Sequence, residues 1–239
     1  MAESIYDQMN KWDKDDDFFV ELIKKLNPKS IADLGCGTGR LTIFLANKGY
    51  KIVGIDPDIK SIETAKQKDE SQLVTWKIGT SEDFCDSTFD LVMMTSNVVQ
   101  VFINEVEWNK TLKNTYHSLN IGGYLIFDTR NPLQRTWESW TREQTQKDII
   151  DPITGGHINV WHEYIEVIIP LVKYRTIYEY QNLQSTNEEN VLIFRSKEKI
   201  IENLKIAGFD EINVFGDWKF EVAQETAKSY IFVAKKTAK

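Results

Sequence analysis

The chain is poor in the residues that build metal cages and covalent cross-links: its 239 residues include two cysteines and three histidines. Cys36 and Cys85 are too few for a cysteine-ligated metal, and a bridge from Cys36 would distort the glycine-rich segment around it, so neither a disulfide nor a metal site is expected. His157 and His162 are an odd number of positions apart, so one strand would send them to opposite faces, and His117 is remote from both. No apolar run approaches the roughly 20 residues that span a bilayer. Residues 1–17 are polar and acidic rather than signal-like, which predicts a cytoplasmic protein. Positive charge is in deficit, with 29 Lys and Arg against 36 Asp and Glu, and a net charge of −7 disfavours a broad phosphate-tracking surface. Neither nucleic acid nor a membrane is an expected partner, and monomer and homodimer stay open.

What is present is a rhythm of strands and helices, without internal repeats. Phe18, Phe19, Leu22, Ile23 and Leu26 recur at helical spacing before Asn27-Pro28. Apolar, strand-like runs follow at 50–56, 73–78, 89–94 and 124–128, with helical stretches at 61–68 and 105–119. Gly122-Gly123 stands where a helix C-terminal stop belongs. Strands that are apolar throughout and alternate with helices predict an α/β fold with a doubly wound, mostly parallel sheet. Residues 131–194 break the rhythm: long aromatic and β-branched runs at 158–169 and 171–181, with a short one at 191–194, predict an inserted antiparallel β subdomain. A helix over 196–208 and strands at 211–218 and 229–235 then complete seven strands in one domain spanning residues 1–239.

The most informative segment is residues 31–40, Ile-Ala-Asp-Leu-Gly-Cys-Gly-Thr-Gly-Arg, a buried strand that breaks into a glycine turn and then a helix. Glycines at alternate positions permit positive φ and a close approach of ligand to backbone, and the free N–H groups of the following helix face the turn. A dinucleotide fingerprint, G-x-G-x-x-G, would need glycine at position 40, where Arg40 stands. The pattern present, Asp33-x-Gly35-x-Gly37-x-Gly39, closely resembles motif I of the class I S-adenosylmethionine-dependent methyltransferases, with Cys36 and Arg40 inside or beside the turn.

That resemblance extends over nearly the whole chain and implies a role for each strand tip. Asp56, before Pro57 and seventeen positions after Gly39, is placed to accept hydrogen bonds from both ribose hydroxyls of the cofactor; the residues alone read equally as a turn aspartate before proline. The adenine loop would be Thr80, Ser81 and Glu82, with Thr80 where the family usually has aspartate. Thr95 and Ser96 would approach the methionine part of the cofactor, with Asn97 and Gln100 towards the acceptor. Tyr6 would belong to an N-terminal lid, a docked apolar anchor being the alternative, and Arg40 would reach the cofactor carboxylate, the residue alone reading equally as a solvated helix position. Arg130, Trp137 and Arg195 are further candidate substrate contacts, packing or an ion pair being the alternative, and His162 or Tyr164 is a candidate general base. The chain lacks the Asp/Asn-Pro-Pro-aromatic signature of nucleic-acid amine methylation, and Asn131-Pro132 reads as a turn.

The function expected is transfer of a methyl group from S-adenosylmethionine to an N or O atom of a small molecule, with the insert and lid covering the substrate side. A sensor that binds the same cofactor without turnover is the alternative, and an NAD-dependent oxidoreductase is disfavoured by Arg40.

Overall fold

The computed structural model describes residues 4–84, 88–181 and 184–238; Cys85 lies outside them. In chain order, α1 (Ile5–Met9) and α2 (Lys14–Leu26) precede β1 (Ser30–Leu34), α3 (Arg40–Asn47), β2 (Lys51–Asp56), α4 (Ile59–Lys68), β3 (Thr75–Ile78), β4 (Phe89–Met94), α5 (Glu105–Ser118) and β5 (Leu119–Arg130). Then come α6 (Arg142–Thr145), β6 (Lys147–Ile150), β7 (His157–Ile168), β8 (Leu171–Tyr180) and β9 (Ser185–Ile193), followed by α7 (Lys197–Ala207), β10 (Glu211–Gly216) and β11 (Ser229–Lys235). Among the described residues no helix is long and apolar enough to cross a membrane.

The main sheet has seven strands in the order β10-β11-β5-β4-β1-β2-β3, with β11 antiparallel to both its neighbours. Strand order reverses between β1 and β4, which pair in parallel through Ile31–Leu91 and Asp33–Met93. A crevice opens at such a reversal, beyond the carboxyl ends of the two strands. Both faces are covered, and β4 shows why its sequence is apolar throughout. Leu91 and Met93 pack with Phe19, Ile23 and Leu45 on one face, while Val92 and Met94 pack with Trp108, Leu112 and Leu204 on the other. α2 is fixed by a capping box between Asp13 and Asp16, has lysines in its last turn and ends at Asn27 in the left-handed region, φ 50°. Burial of Phe18, Phe19, Leu22 and Ile23, worth about 1.5–3 kcal/mol each, docks it on the sheet.

The structure corrects four sequence expectations. Gly122 and Gly123 do not stop a helix: α5 ends at Ser118 and β5 begins at once. Gly122 has φ +84° and donates to the Lys236 carbonyl, while a Cβ on Gly123 would press on the Phe89 and Asp90 carbonyls, so the pair lets β5 squeeze past a register shift against β4. The insert has four strands, β6-β7-β8-β9, not three. Its β9 runs back to Ser185, because pairing with β8 from Glu179–Ser185 to Leu171–Ile193 imposes strand geometry on a polar segment. Finally, β10 stops at Gly216, since Asp217 and Trp218 turn out with φ 50° and 61°.

Candidate functional site

The glycine turn leans on β2 through the N–H groups of Gly35 and Cys36, which donate to the Ile55 carbonyl at 2.7 and 3.2 Å. Gly35, Gly37 and Gly39 all have positive φ, yet their surroundings differ. A Cβ on Gly35 would strike the Val98 methyls at 2.7 Å, and one on Gly39 would strike the Trp76 ring. Only at Gly37, φ +53°, would a Cβ meet nothing within 4 Å. Two of the glycines are therefore dictated by the protein's own packing, while Gly37 leaves its backbone open to an approaching group.

Two carboxylates flank this turn. Asp56 accepts the Gly37 N–H at 2.8 Å and the Asp58 N–H at 2.9 Å, so it braces the turn while its remaining lone pairs stay available. Asp33 is 2% exposed; Oδ2 accepts from Thr42 at 2.5 Å, while Oδ1 is buried without a partner. Burial pushes its carboxyl up to about 7 against the Thr42 hydrogen bond, and the Asp56 charge adds to the shift. Burial likewise pushes the Cys36 thiol up, which keeps it uncharged.

At the tip of β4, Ser96 and Asn97 are both left-handed, φ 60° and 61°. Their loop is held by Asp128 on β5, whose two oxygens accept the Asn97 N–H at 3.2 and 3.1 Å. Asp128 is fully buried, and burial raises its carboxyl to about 7, with the Asn97 hydrogen bond opposing. Sequence reading missed this residue; its signal is an acid inside the apolar run 125–128 just before the strand tip. Two residues on, Arg130 donates from Nη1 to Gln100 Oε1 at 2.8 Å and lies 5.6 Å over the Trp140 ring. Among the described residues no carboxylate forms a salt bridge with it.

These elements bound a cleft of about 410 Å³. Its walls are Tyr6, Met9, Asn10, Lys11, Trp12, Asp13 and Asp15 from the N-terminal segment, Arg40, Ser96 and Asn97 from the two loops, and Arg130 and Lys147 from β5 and β6. Of the candidates named from sequence, Tyr6, Arg40, Ser96, Asn97 and Arg130 converge there. Arg40 also pairs with Asp16, so the start of α3 is tied to α2.

Other candidates are turned elsewhere, and four need correction. Ser81 is buried against α5, donating to Thr111 at 3.4 Å and accepting from Asn114 at 3.2 Å. Gln100 is 1% exposed and bridges Arg130 to the Ile193 carbonyl, so it acts on the cleft through Arg130. Trp137 packs inside the insert against Val172 and Phe194. Arg195, 5% exposed, pairs with Glu105 at 2.7 Å and donates to the Phe102 carbonyl at 2.6 Å. Arg195→Met is expected to lower unfolding stability by about 1–3 kcal/mol in urea titrations while acceptor KM stays at the wild-type value, because the loss is of buried hydrogen bonds. A raised KM in the folded variant would return Arg195 to the site.

Thr80 and Glu82 stay at the surface of the third strand tip. Thr80 exchanges turn bonds with Asp83 and Glu82, and Glu82 pairs with Lys110 at 2.7 Å. His162 Nδ1 lies 3.0 Å from Thr176 Oγ1, and burial together with the Arg130 and Lys147 charges lowers its pKa below the usual histidine value. Tyr164 is 46% exposed, and its N–H donates to the Trp140 carbonyl.

The residues present fit a cationic nucleoside ligand: a bare backbone at Gly37, a carboxylate braced beside it and an orphaned buried oxygen on Asp33. Comparison with known proteins agrees. A family model described as a methyltransferase domain matches residues 31–123. A glycine/sarcosine N-methyltransferase of Aphanothece halophytica is 26% identical over 242 residues, covering 97% of this chain and 86% of that one. Among solved structures, an S-adenosylmethionine-dependent methyltransferase from Clostridium acetobutylicum superposes with a TM-score of 0.77 at 19% identity, covering 98% of this chain and 97% of that one. The S-adenosylmethionine-bound amino pentose methyltransferase of Micromonospora echinaspora superposes with a TM-score of 0.72 at 15% identity, covering 99% and 98%. The two structural likenesses speak for the fold, and the glycine turn with its two carboxylates speaks for the ligand. The chain is a class I S-adenosylmethionine-dependent methyltransferase.

Proposed function

We propose that the acceptor is a small molecule carrying an amine nitrogen and an anionic group, methylated on that nitrogen in the cleft between the N-terminal segment, the β4 tip and the insert. The observation that carries this reading is Arg130, a guanidinium in the cleft wall, fixed by Gln100 and Trp140 and in salt-bridge contact with no carboxylate among the described residues. The nearby charge that favours this cation, Asp128, makes no salt bridge with it and is itself opposed by burial, so the guanidinium can still favour an anionic ligand, and the planar fork of arginine suits a carboxylate. Lys147 adds a second positive charge to the same wall. The glycine/sarcosine specificity of the Aphanothece relative is consistent with an amino-acid-like acceptor. The acidic net charge supports small molecules over nucleic acid.

When bound, S-adenosylmethionine supplies an electrophilic methyl on a sulfonium. The chain's part is then to align a nucleophile and exclude water rather than to activate the methyl group. Gly35, Gly37 and Gly39 with Cys36 form the floor of the cofactor site, Asp56 next to Pro57 takes the ribose hydroxyls, and Asp33 supplies negative charge. Thr80 and Glu82 border the adenine end, Thr95 and Ser96 the methionine end, and Tyr6 and Arg40 close over it. Asn97, whose Oδ1 is buried without a partner, holds the acceptor amine through an N–H. An ammonium must lose a proton before it attacks, and His162, which burial and the Arg130 and Lys147 charges keep neutral, is the candidate to accept that proton, with Tyr164 as the alternative.

S-Adenosylhomocysteine formation in the presence of amino acids, amino sugars and neutral amines tests this reading. Turnover confined to acceptors that bear an anion is expected, and Arg130→Met should raise their KM roughly tenfold to a hundredfold with a smaller change in kcat. Equal turnover of neutral amines would overturn the anionic assignment. Cofactor binding without turnover of any acceptor would favour the sensor.

A further inference from the structure

Three successive residues of α1 address three different parts of the molecule. Side chains of neighbouring helical residues are about 100° apart, and Tyr6, Asp7 and Gln8 use that rotation. Tyr6, 53% exposed, lines the cleft. Asp7, 6% exposed, accepts from Thr38 Oγ1 at 2.6 Å and from Lys68 Nζ at 3.1 Å, and Ser4 Oγ adds a bond at 2.8 Å. Burial opposes ionisation of Asp7, but these hydrogen bonds and the Lys68 charge hold its carboxyl below the usual carboxylate range. Thr38 stands between Gly37 and Gly39, so Asp7 grips the glycine turn itself.

Gln8 faces the insert. Its Nε2 donates to the Ile150 carbonyl at 2.7 Å, and its Oε1 accepts the Ile150 N–H at 2.8 Å. One residue on, the Met9 carbonyl accepts from Lys147 Nζ at 2.5 Å. Ile5 and Met9 pack on Ile149, Ile158 and Val160. β6 is a four-residue edge strand with β7 as its one strand partner, so α1 holds its outer side. Lys147 thus belongs both to this clamp and to the acceptor wall.

We propose that Asp7 and Gln8 are positioning residues that couple the two halves of the cleft: filling the cofactor turn fixes α1, and α1 in turn fixes β6 and Lys147 for the acceptor. The coupling rests on the glycine turn being the cofactor site. By reciprocity, each ligand then raises affinity for the other.

Amide hydrogen exchange on the full-length protein, with S-adenosylhomocysteine as the probe, tests the coupling. In the wild type the probe should slow exchange in residues 33–40, 5–9 and 147–150, the last by about tenfold. In Gln8→Ala, residues 33–40 should keep that slowing and residues 147–150 should lose it. Gln8→Glu, which still accepts the Ile150 N–H but cannot donate to its carbonyl, should retain part. A purely structural role for Gln8 would speed exchange equally with and without the probe, and that result overturns the proposal. So does unchanged exchange at 147–150 in the wild type when 33–40 are slowed. If 33–40 are not slowed, the cofactor reading falls, and the coupling with it.

Discussion

Asp56→Ala is expected to weaken binding of S-adenosylhomocysteine by about 3 kcal/mol, roughly a hundredfold, measured by calorimetry on protein shown to be folded. Two losses combine. The carboxylate at the tip of β2 is the assigned partner of the ribose hydroxyls, and it also accepts the Gly37 N–H at 2.8 Å. Removing it deprives the turn of a brace at the one of its three glycines that opens to empty space. Asp56→Asn separates the effects, since the amide oxygen can still accept from Gly37 while the negative charge is gone; it should fall between wild type and alanine. Wild-type affinity in a folded Asp56→Ala protein would overturn the assignment of this residue.

The second large effect is one of pH. Burial raises both Asp33 and Asp128 from the ordinary carboxylate value to about 7. The folded protein therefore holds these protons over a range in which the unfolded chain has released them, from about pH 4 to 7. Stability of the ligand-free protein is expected to fall as pH rises through that window, by on the order of 4 kcal/mol for each fully shifted carboxylate. Binding of a cationic cofactor reverses the preference, because it favours ionised Asp33. Its affinity should therefore climb about tenfold per pH unit up to pH 7 and then level. Urea titrations at pH 4.5 and 7.5 and calorimetry across the same range check the two halves. Asp128→Asn, which keeps an oxygen for the Asn97 N–H, should remove one share of the stability slope. Asp33→Asn should flatten the affinity profile; a profile as steep as the wild type's would place the linked proton elsewhere.

The sequence carried the architecture because the central strands of the main sheet are apolar on both faces and most of the helices carry side-chain caps. Phe89–Met94 and Ser229–Lys235 stand at the boundaries that the residues alone suggest, and Ser196 and Gly208 cap α7 as their types require. The cofactor turn was legible for the same local reason, since alternate glycines before a helix have few other uses. What the sequence could not reveal is where a polar side chain points. Gln100, Trp137 and Arg195 carry groups suited to ligands, and packing turned all three away from the cleft. Asp128 and Lys147 entered the site only through pairing of strands distant in sequence. Gly122-Gly123 shows the same limit in the backbone: a local stop signal gave way to the sheet, where pairing with β4 and β11 outweighs the preference of two residues. By itself the sequence determined most of the elements, their order and the glycine turn, because each depends on residues close together in the chain. The cleft wall and the contacts that α1 makes with the glycine turn and β6 were decided only by tertiary structure, because each depends on residues far apart in the chain.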